Sequence, residues 1–231
     1  MESKADFLQA AFHAPEAVAK YADSPPIAVP GFADMQRMAA LLLAERVREN
    51  GRILVVGAGG GLELKVFAEA EPSWRFDGVD PSQPMLQLAE QTLGPLASRV
   101  RLHEGKIDAA PEGPFDAATC ILTMHFEDVE VRKQMLASIR QRLKPQAPFI
   151  VVHLSFPQSE GARERWLSRY AAYMVRPAVD AEKASQFRKA VDAYLTILDP
   201  QHDEALLQEA GFTNVELFYV GFAFRGWVCY A

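Results

Sequence analysis

The stretch Ile53-Leu-Val-Val-Gly57-Ala-Gly59-Gly60-Gly61 decides the fold. Four apolar, mostly β-branched residues read as a strand buried on both faces, because a half-exposed strand would alternate polar and apolar positions. The glycines end that strand and open a helix, with core positions at Leu64, Phe67 and Ala68 before Pro72 stops it. A strand that passes through a glycine turn into a helix is the first part of a parallel βαβ unit.

The same alternation runs outward from this point. Trp74 to Val79 reads as a second strand, and Ser82 can cap a helix carrying Met85, Leu88, Ala89 and Leu93. Arg99 to His103 and Phe115 to Leu122 are the third and fourth strands. A helix from about Val129 to Leu143 sets Val131, Met135, Ile139 and Leu143 on one face, until Pro145 and Pro148 end it. Phe149 to Leu154 is the fifth strand. Upstream, Met35, Met38, Leu42 and Val47 give a helical stripe over Ala33 to Asn50, closed by Gly51; the prolines of the first thirty residues bar one continuous helix there. Near the end, His202 to Ala210 is a short helix, and Val215 to Val220 and Phe222 to Tyr230 are two strands joined around Gly221. The expected fold class is therefore α/β. It is a doubly wound, Rossmann-like, mostly parallel seven-stranded sheet with an antiparallel C-terminal hairpin.

Ser155 to Asp199 breaks the pattern, holding helical apolar spacing and no strand. An insertion at the C-terminal edge of the fifth strand lies where open α/β sheets bind ligands, so a helical lid over residues 155–199 is expected. The 231 residues then form a single domain, with an N-terminal cap over residues 1–50.

Composition narrows the function. A hydrophobic share of 49% with 23% charged residues excludes wholesale disorder. The net charge of −6 argues against a broad phosphate-gripping surface, so direct nucleic-acid binding is disfavoured. Cys120 and Cys229 both lie in apolar runs and form neither a disulfide framework nor a Cys-rich metal site; no histidine spacing suggests a metal either. Neither a secretory signal nor a membrane-length apolar run is present, so a cytoplasmic location without membrane attachment is expected.

The glycine turn lets backbone amides approach a ligand closely, and Asp80, ending the second strand, is placed to accept from two ribose hydroxyls. Together they point to an adenosine-type cofactor at the sheet's switch point. A dinucleotide turn wants a third glycine where Leu62 stands, and Glu63 in the first helical turn would repel a pyrophosphate. S-adenosylmethionine, which carries no phosphate, meets no such objection. The competing readings are a nicotinamide cofactor and a glycine turn that binds nothing.

Three further stretches join this one: Gly78-Val-Asp80-Pro-Ser-Gln-Pro-Met-Leu86, Phe115-Asp-Ala-Ala-Thr-Cys-Ile-Leu122 and Leu143-Lys-Pro-Gln-Ala-Pro-Phe-Ile150. With the glycine turn they resemble the successive motifs of class I S-adenosylmethionine-dependent methyltransferases. Val29-Pro-Gly-Phe-Ala-Asp-Met35 and Leu207-Gln-Glu-Ala-Gly-Phe-Thr-Asn-Val-Glu-Leu-Phe218 resemble the carboxy-S-adenosylmethionine synthase branch of that class. The resemblance implies Gly57, Ala58, Gly59 and Gly61 around the methionine moiety, with Met85 on the following helix, and Asp80 on the ribose. It implies Pro81, Lys106 and Ile107 about the adenine, Ile121 beside the methionine portion, and Phe32 at the mouth. Three positions depart from the pattern. Val55 replaces the usual first-strand acid, Lys106 replaces the acid common beside adenine, and the branch's carboxylate-holding arginine falls near Arg188-Lys189 out of register.

Methyl transfer needs positioning more than acid–base help, and a base only for a nucleophile protonated at neutral pH. His125 and His153 follow the fourth and fifth strands and are the candidate catalytic groups; the alternative is a structural, hydrogen-bonded histidine at each place. In the expected lid, Tyr170, Tyr173, Arg176, Arg188 and Tyr194 are candidates for the substrate side, or else core tyrosines and solvated arginines. The expected function is methyl transfer from S-adenosylmethionine to a small-molecule acceptor. The alternatives are a carboxy-S-adenosylmethionine synthase-like enzyme and a non-catalytic S-adenosylmethionine-binding protein. Phe218, Phe222, Phe224 and Trp227 on the terminal hairpin are core or a homodimer contact.

Overall fold

The structure, a computed structural model, describes residues 3–175 and 180–231. Four helices precede the sheet: α1 (Lys4–Phe12), α2 (Pro15–Ala19), α3 (Ser24–Ala28) and α4 (Phe32–Ala44). Then come β1 (Arg52–Val56), α5 (Leu62–Ala70), β2 (Arg75–Asp80), α6 (Gln83–Leu93), β3 (Val100–Glu104) and β4 (Ala117–Ile121). The chain continues through α7 (Val129–Gln141), β5 (Pro148–Leu154), α8 (Ala162–Met174) and α9 (Ala181–Tyr194). It ends with α10 (Pro200–Glu209), β6 (Thr213–Gly221) and β7 (Phe224–Tyr230).

The strands form one sheet in the order β3-β2-β1-β4-β5-β7-β6. β1 to β5 run parallel, and β7 pairs antiparallel with β5 and β6, as the sequence predicts. The order reverses between β1 and β4, which leaves a crevice at their C-terminal ends. β1 and β4 are buried almost throughout because each face carries its own core. Ile53 and Val55 pack with Met35, Leu43 and Phe67 on one side; Leu54 and Val56 pack with Met135, Ile139 and Phe149 on the other.

One expectation changes, and one element is added to what the sequence shows. The helix over Ala33 to Asn50 stops at Ala44, because Arg46 and Val47 both turn their N–H groups to the Leu43 carbonyl and the chain tightens out of the helix. The first thirty residues do hold a well-formed helix, α1, whose start is fixed by a capping box: Ser3 Oγ accepts from Asp6 N–H, and the Asp6 carboxylate accepts from Ser3 N–H.

The insertion forms an antiparallel pair, α8 and α9, and packs on the β6–β7 end of the sheet. Leu167, Tyr170, Met174, Ala184 and Val191 join the same core as Tyr219 and Phe224. It also reaches α1, where Tyr194 stacks on Phe7 with ring centroids 4.8 Å apart.

Candidate cofactor and acceptor site

Gly57, Gly59 and Gly61 all take left-handed backbone angles (φ +75°, +46° and +78°), which an L side chain rarely adopts. A Cβ on Gly57 would overlap Thr123, just past β4, so this glycine opens the crevice at the switch point. Leu122, on the other lip, also has a left-handed φ of +58°. A Cβ on Gly61 would stand 2.9 Å from the Ala89 Cα, so its role is close packing of α5 on α6.

Asp80 closes the turn. Its Oδ2 accepts from Gly59 N–H and its Oδ1 from Ser82 N–H, both at 2.9 Å. Burial pushes its carboxyl above the usual range, against the pull of the two amides and of His13. The remaining lone pairs are left for ligand hydroxyls.

A cavity of about 900 Å³ opens over this crevice. Its floor is Val56, Gly57, Gly59, Asp80 and Pro81, with Met85 at one side. Gly105 to Asp108 and Ile121 to Thr123 bound it along the strand ends, and Val131, Gln134, Met135 and Ser138 bound it on α7. Lys4, Ala5, Leu8 and Phe12 of α1, with His13 and Tyr21, form the remaining wall. Three ties hold that wall. Ser82 Oγ donates to the Phe12 carbonyl at 2.6 Å, Lys4 Nζ pairs with Asp128 at 3.0 Å, and Phe12 meets Phe126 and Tyr21 edge-on. None of α1 is buried, so it lies on the molecule rather than in it.

The structure brings eight of the eleven predicted cofactor residues to this cavity: Gly57, Gly59, Asp80, Pro81, Met85, Lys106, Ile107 and Ile121. Ala58 and Gly61 stand behind it, Ala58 buried in the core beneath the turn. Phe32 is not at the mouth; at the start of α4 it packs against the apolar core, where an aromatic ring without a polar atom belongs. Lys106 pairs with Glu127 at 2.8 Å.

The predicted catalytic histidines stand apart from the cavity. His125 is buried, accepts from Leu154 N–H at Nδ1, and has its pKa driven well below the usual range by burial and then by His153 and Arg132. His153 is buried beside Trp227, with Nε2 3.1 Å from Asp203 Oδ1 but out of hydrogen-bond alignment. Both abut a buried ion pair: Arg132 on α7 meets Asp203 on α10 at 3.2 Å and donates to the Glu127 and Thr196 carbonyls. The histidine that does line the cavity is His13, at the end of α1.

The substrate-side candidates do not line it either. Tyr170 is core, edge-on to Phe187 and Phe224, and burial raises its hydroxyl pKa. Tyr173 packs on Phe222, Tyr194 supports α1 from behind, and Arg188 lies on α9; Arg176 lies outside the described residues. Among the described residues, none from Ser155 to Asp199 borders the cavity, so α1 supplies the cover assigned to that insertion. Sequence reasoning missed Tyr21 and His13; the Ser3-x-x-Asp6 box was the signal that a helix starts there. No group of three or more His, Cys, Asp or Glu among the described residues could hold a metal ion.

Residues 53–146 match the family model of a methyltransferase domain. The chain is 23% identical over 198 residues to the carboxy-S-adenosyl-L-methionine synthase of Campylobacter hominis, covering 83% of this chain and 82% of that one. Among solved structures, an O-methyltransferase family protein from Burkholderia thailandensis superposes with a TM-score of 0.71 at 12% identity. Human N-acetylserotonin methyltransferase, solved with S-adenosylmethionine, gives 0.64 at 15%. Each covers 99% of this chain, which spans only 63% and 56% of their lengths. Residues 53–146 thus match a methyltransferase domain, on a fold shared with solved methyltransferases, one of them in complex with S-adenosylmethionine. The sheet order, the glycine turn and Asp80 are the parts of this chain that fit the cofactor.

Proposed function

We propose that the protein transfers a methyl group from S-adenosylmethionine to a small-molecule acceptor held in the same cavity. The observation that carries this reading is the cavity's size. About 900 Å³ is near the upper end of the roughly 300–1,000 Å³ of small-molecule sites, leaving room for an acceptor beside a nucleoside-sized cofactor. When bound, S-adenosylmethionine supplies a methyl group already activated on a sulfonium. The chain's task is then placement. Asp80 holds the ribose, the left-handed glycines admit the methionine end, and Leu8, Phe12 and Phe126 keep water from the transfer path. His13 is placed to take a proton from an acceptor that needs to lose one.

The acidic rim supports the preference for a small acceptor over a nucleic acid. Asp108, Glu127 and Asp128 face the cavity, and its lysines, Lys4 and Lys106, are paired to two of them. A cytoplasmic placement and a homodimer through the β6 edge complete the proposal. Supporting them, no single described helix is long and apolar enough to cross a membrane, and Leu217 and Val220 are exposed on β6. Light scattering on the purified protein checks the second.

The names of the full-length relatives favour a second reading, carboxylation of the cofactor itself. Against it, no arginine lines the cavity among the described residues to hold an extra carboxylate. Mass spectrometry of ligand released from denatured protein separates the two. S-adenosylmethionine or S-adenosylhomocysteine is expected, and the carboxylated species would overturn the proposal.

Two variants test the site itself. Asp80→Ala is expected to weaken S-adenosylhomocysteine binding by roughly ten- to a hundred-fold in calorimetry, the scale of a hydrogen bond to a charged group. Gly57→Ala is expected to cost about 1–3 kcal/mol of stability through its left-handed φ, and to block cofactor binding by displacing Thr123. A fully binding Gly57→Ala protein would place the cofactor elsewhere.

A further inference from the structure

The amino-acid end of the cofactor is a zwitterion, and the glycine turn must receive both charges. The obvious groups are already committed. Asp80 serves two amides and the ribose, Thr123 Oγ1 donates to the Ile121 carbonyl at 3.1 Å, and the first-strand position is the apolar Val55. The lysines Lys4 and Lys106 are held in ion pairs at the rim.

Two groups beside the turn remain uncommitted. Tyr21 lines the cavity and lies on the turn itself: its ring is 2.8 Å from where a Cβ would stand on Gly60, and its hydroxyl 3.2 Å from that point on Gly59. No described residue hydrogen-bonds that hydroxyl. Glu63, in the first turn of α5, is 7% exposed, and its Oε1 is enclosed without a hydrogen-bond partner. No cation among the described residues pairs with it. A buried carboxyl with no cation, held only by its own backbone N–H, is costly unless a ligand completes it.

We propose that Tyr21 and Glu63 form the amino-acid subsite of the cofactor, the Tyr21 hydroxyl donating to the α-carboxylate and the Glu63 carboxylate serving as counter-charge to the α-ammonium. Glu63 thereby takes over, from the helix, the anionic role that Val55 cannot fill in the strand. Tyr21 arrives from the N-terminal segment, so the cover over the cavity also reads the end of the ligand. The state of both groups in the free protein agrees. Burial, then the charges of Glu63 and Asp80, keep the Tyr21 hydroxyl protonated and able to donate. Burial above all, with a further push from Asp80, raises the Glu63 carboxyl to about 8, the mark of an anion lacking its cation.

This inference rests on S-adenosylmethionine being the cofactor, and one calorimetric experiment separates the two. S-adenosylhomocysteine carries the amino-acid group; 5′-methylthioadenosine keeps the nucleoside and lacks it. Wild type should bind both. Tyr21→Phe, which retains the ring against Gly60, and Glu63→Gln, which retains the shape, should each weaken S-adenosylhomocysteine roughly ten-fold or more while changing 5′-methylthioadenosine less than about two-fold. Equal loss of both ligands would mean a merely structural role, and unchanged S-adenosylhomocysteine binding removes that residue from the subsite. A wild type that binds neither ligand overturns the cofactor reading together with this one.

Discussion

Arg132→Met is expected to destabilise the fold by about 3–5 kcal/mol, measured as a shift in urea unfolding, a large fraction of what a domain of this size has. The cause is the partner it abandons. Arg132 and Asp203 are 1% and 3% exposed, and the guanidinium also serves the Glu127 and Thr196 carbonyls. Removing it leaves a carboxylate in the core with only His153 near it, out of alignment. The double variant Arg132→Met/Asp203→Leu should recover more than half of the loss, since replacing both charges removes the desolvation penalty. Strict additivity of the two single changes would show the ion pair to be inert. Because Glu127 and Asp128 form part of the cavity rim, the single variant should also loosen cofactor binding.

The second large effect is a pH dependence centred on Glu63. Its carboxyl is raised from 4.5 to about 8 in the folded chain, so the native state holds a proton that the unfolded state has lost between those values. The stabilising contribution is therefore complete below about pH 4.5 and disappears as pH rises through 8. The full span is on the order of 5 kcal/mol, of which about 2 kcal/mol remains at pH 6.5 and almost none at pH 9. Asp80, Tyr21 and Cys120 face Glu63 electrostatically and supply no cation to reverse the sign. His125 acts oppositely, since a buried neutral histidine loses stability as pH falls below its ordinary range. The buried Cys120 and Cys229 thiols weigh in the same direction as Glu63 only near pH 9, so the window from pH 6.5 to 8 isolates Glu63. Urea midpoints should fall from pH 6.5 to 8 in wild type and stay nearly level in Glu63→Gln; parallel slopes would refute the assignment.

Much of the fold is written locally. Ile53 to Val56 could only be a doubly buried strand, and the glycines after it had to turn. Asp80 follows the next such strand at its tip, so topology alone carried it back to the turn. Prolines and caps then punctuated most of the remaining elements. What escaped is held by contacts distant in sequence. α1 buries none of its residues, so its apolar spacing carries little signal, and contacts with Phe126, Ser82, Asp128 and Tyr194 bring its face over the crevice. Tyr21 and His13 reach the site by that route. His125 and His153 sit near strand ends, as expected of catalytic groups. Their rings point into the layer between the sheet, α7 and α10, and nothing in strand position alone reports that direction. The insertion misled for a related reason: its place in the chain is at the ligand edge, while its apolar face matches the terminal hairpin.

The strand order has a temporal consequence. β7, the last strand in sequence, lies between β5 and β6, and its Trp227 and Cys229 are wholly enclosed. While the chain is being synthesised, β5 must wait with an unpaired edge until residues 224–230 leave the ribosome. The nucleoside half of the sheet, β3-β2-β1-β4, is complete some hundred residues sooner. Nascent protein should thus acquire its glycine turn early and its full core last, with β5 the segment that chaperones have most reason to shield.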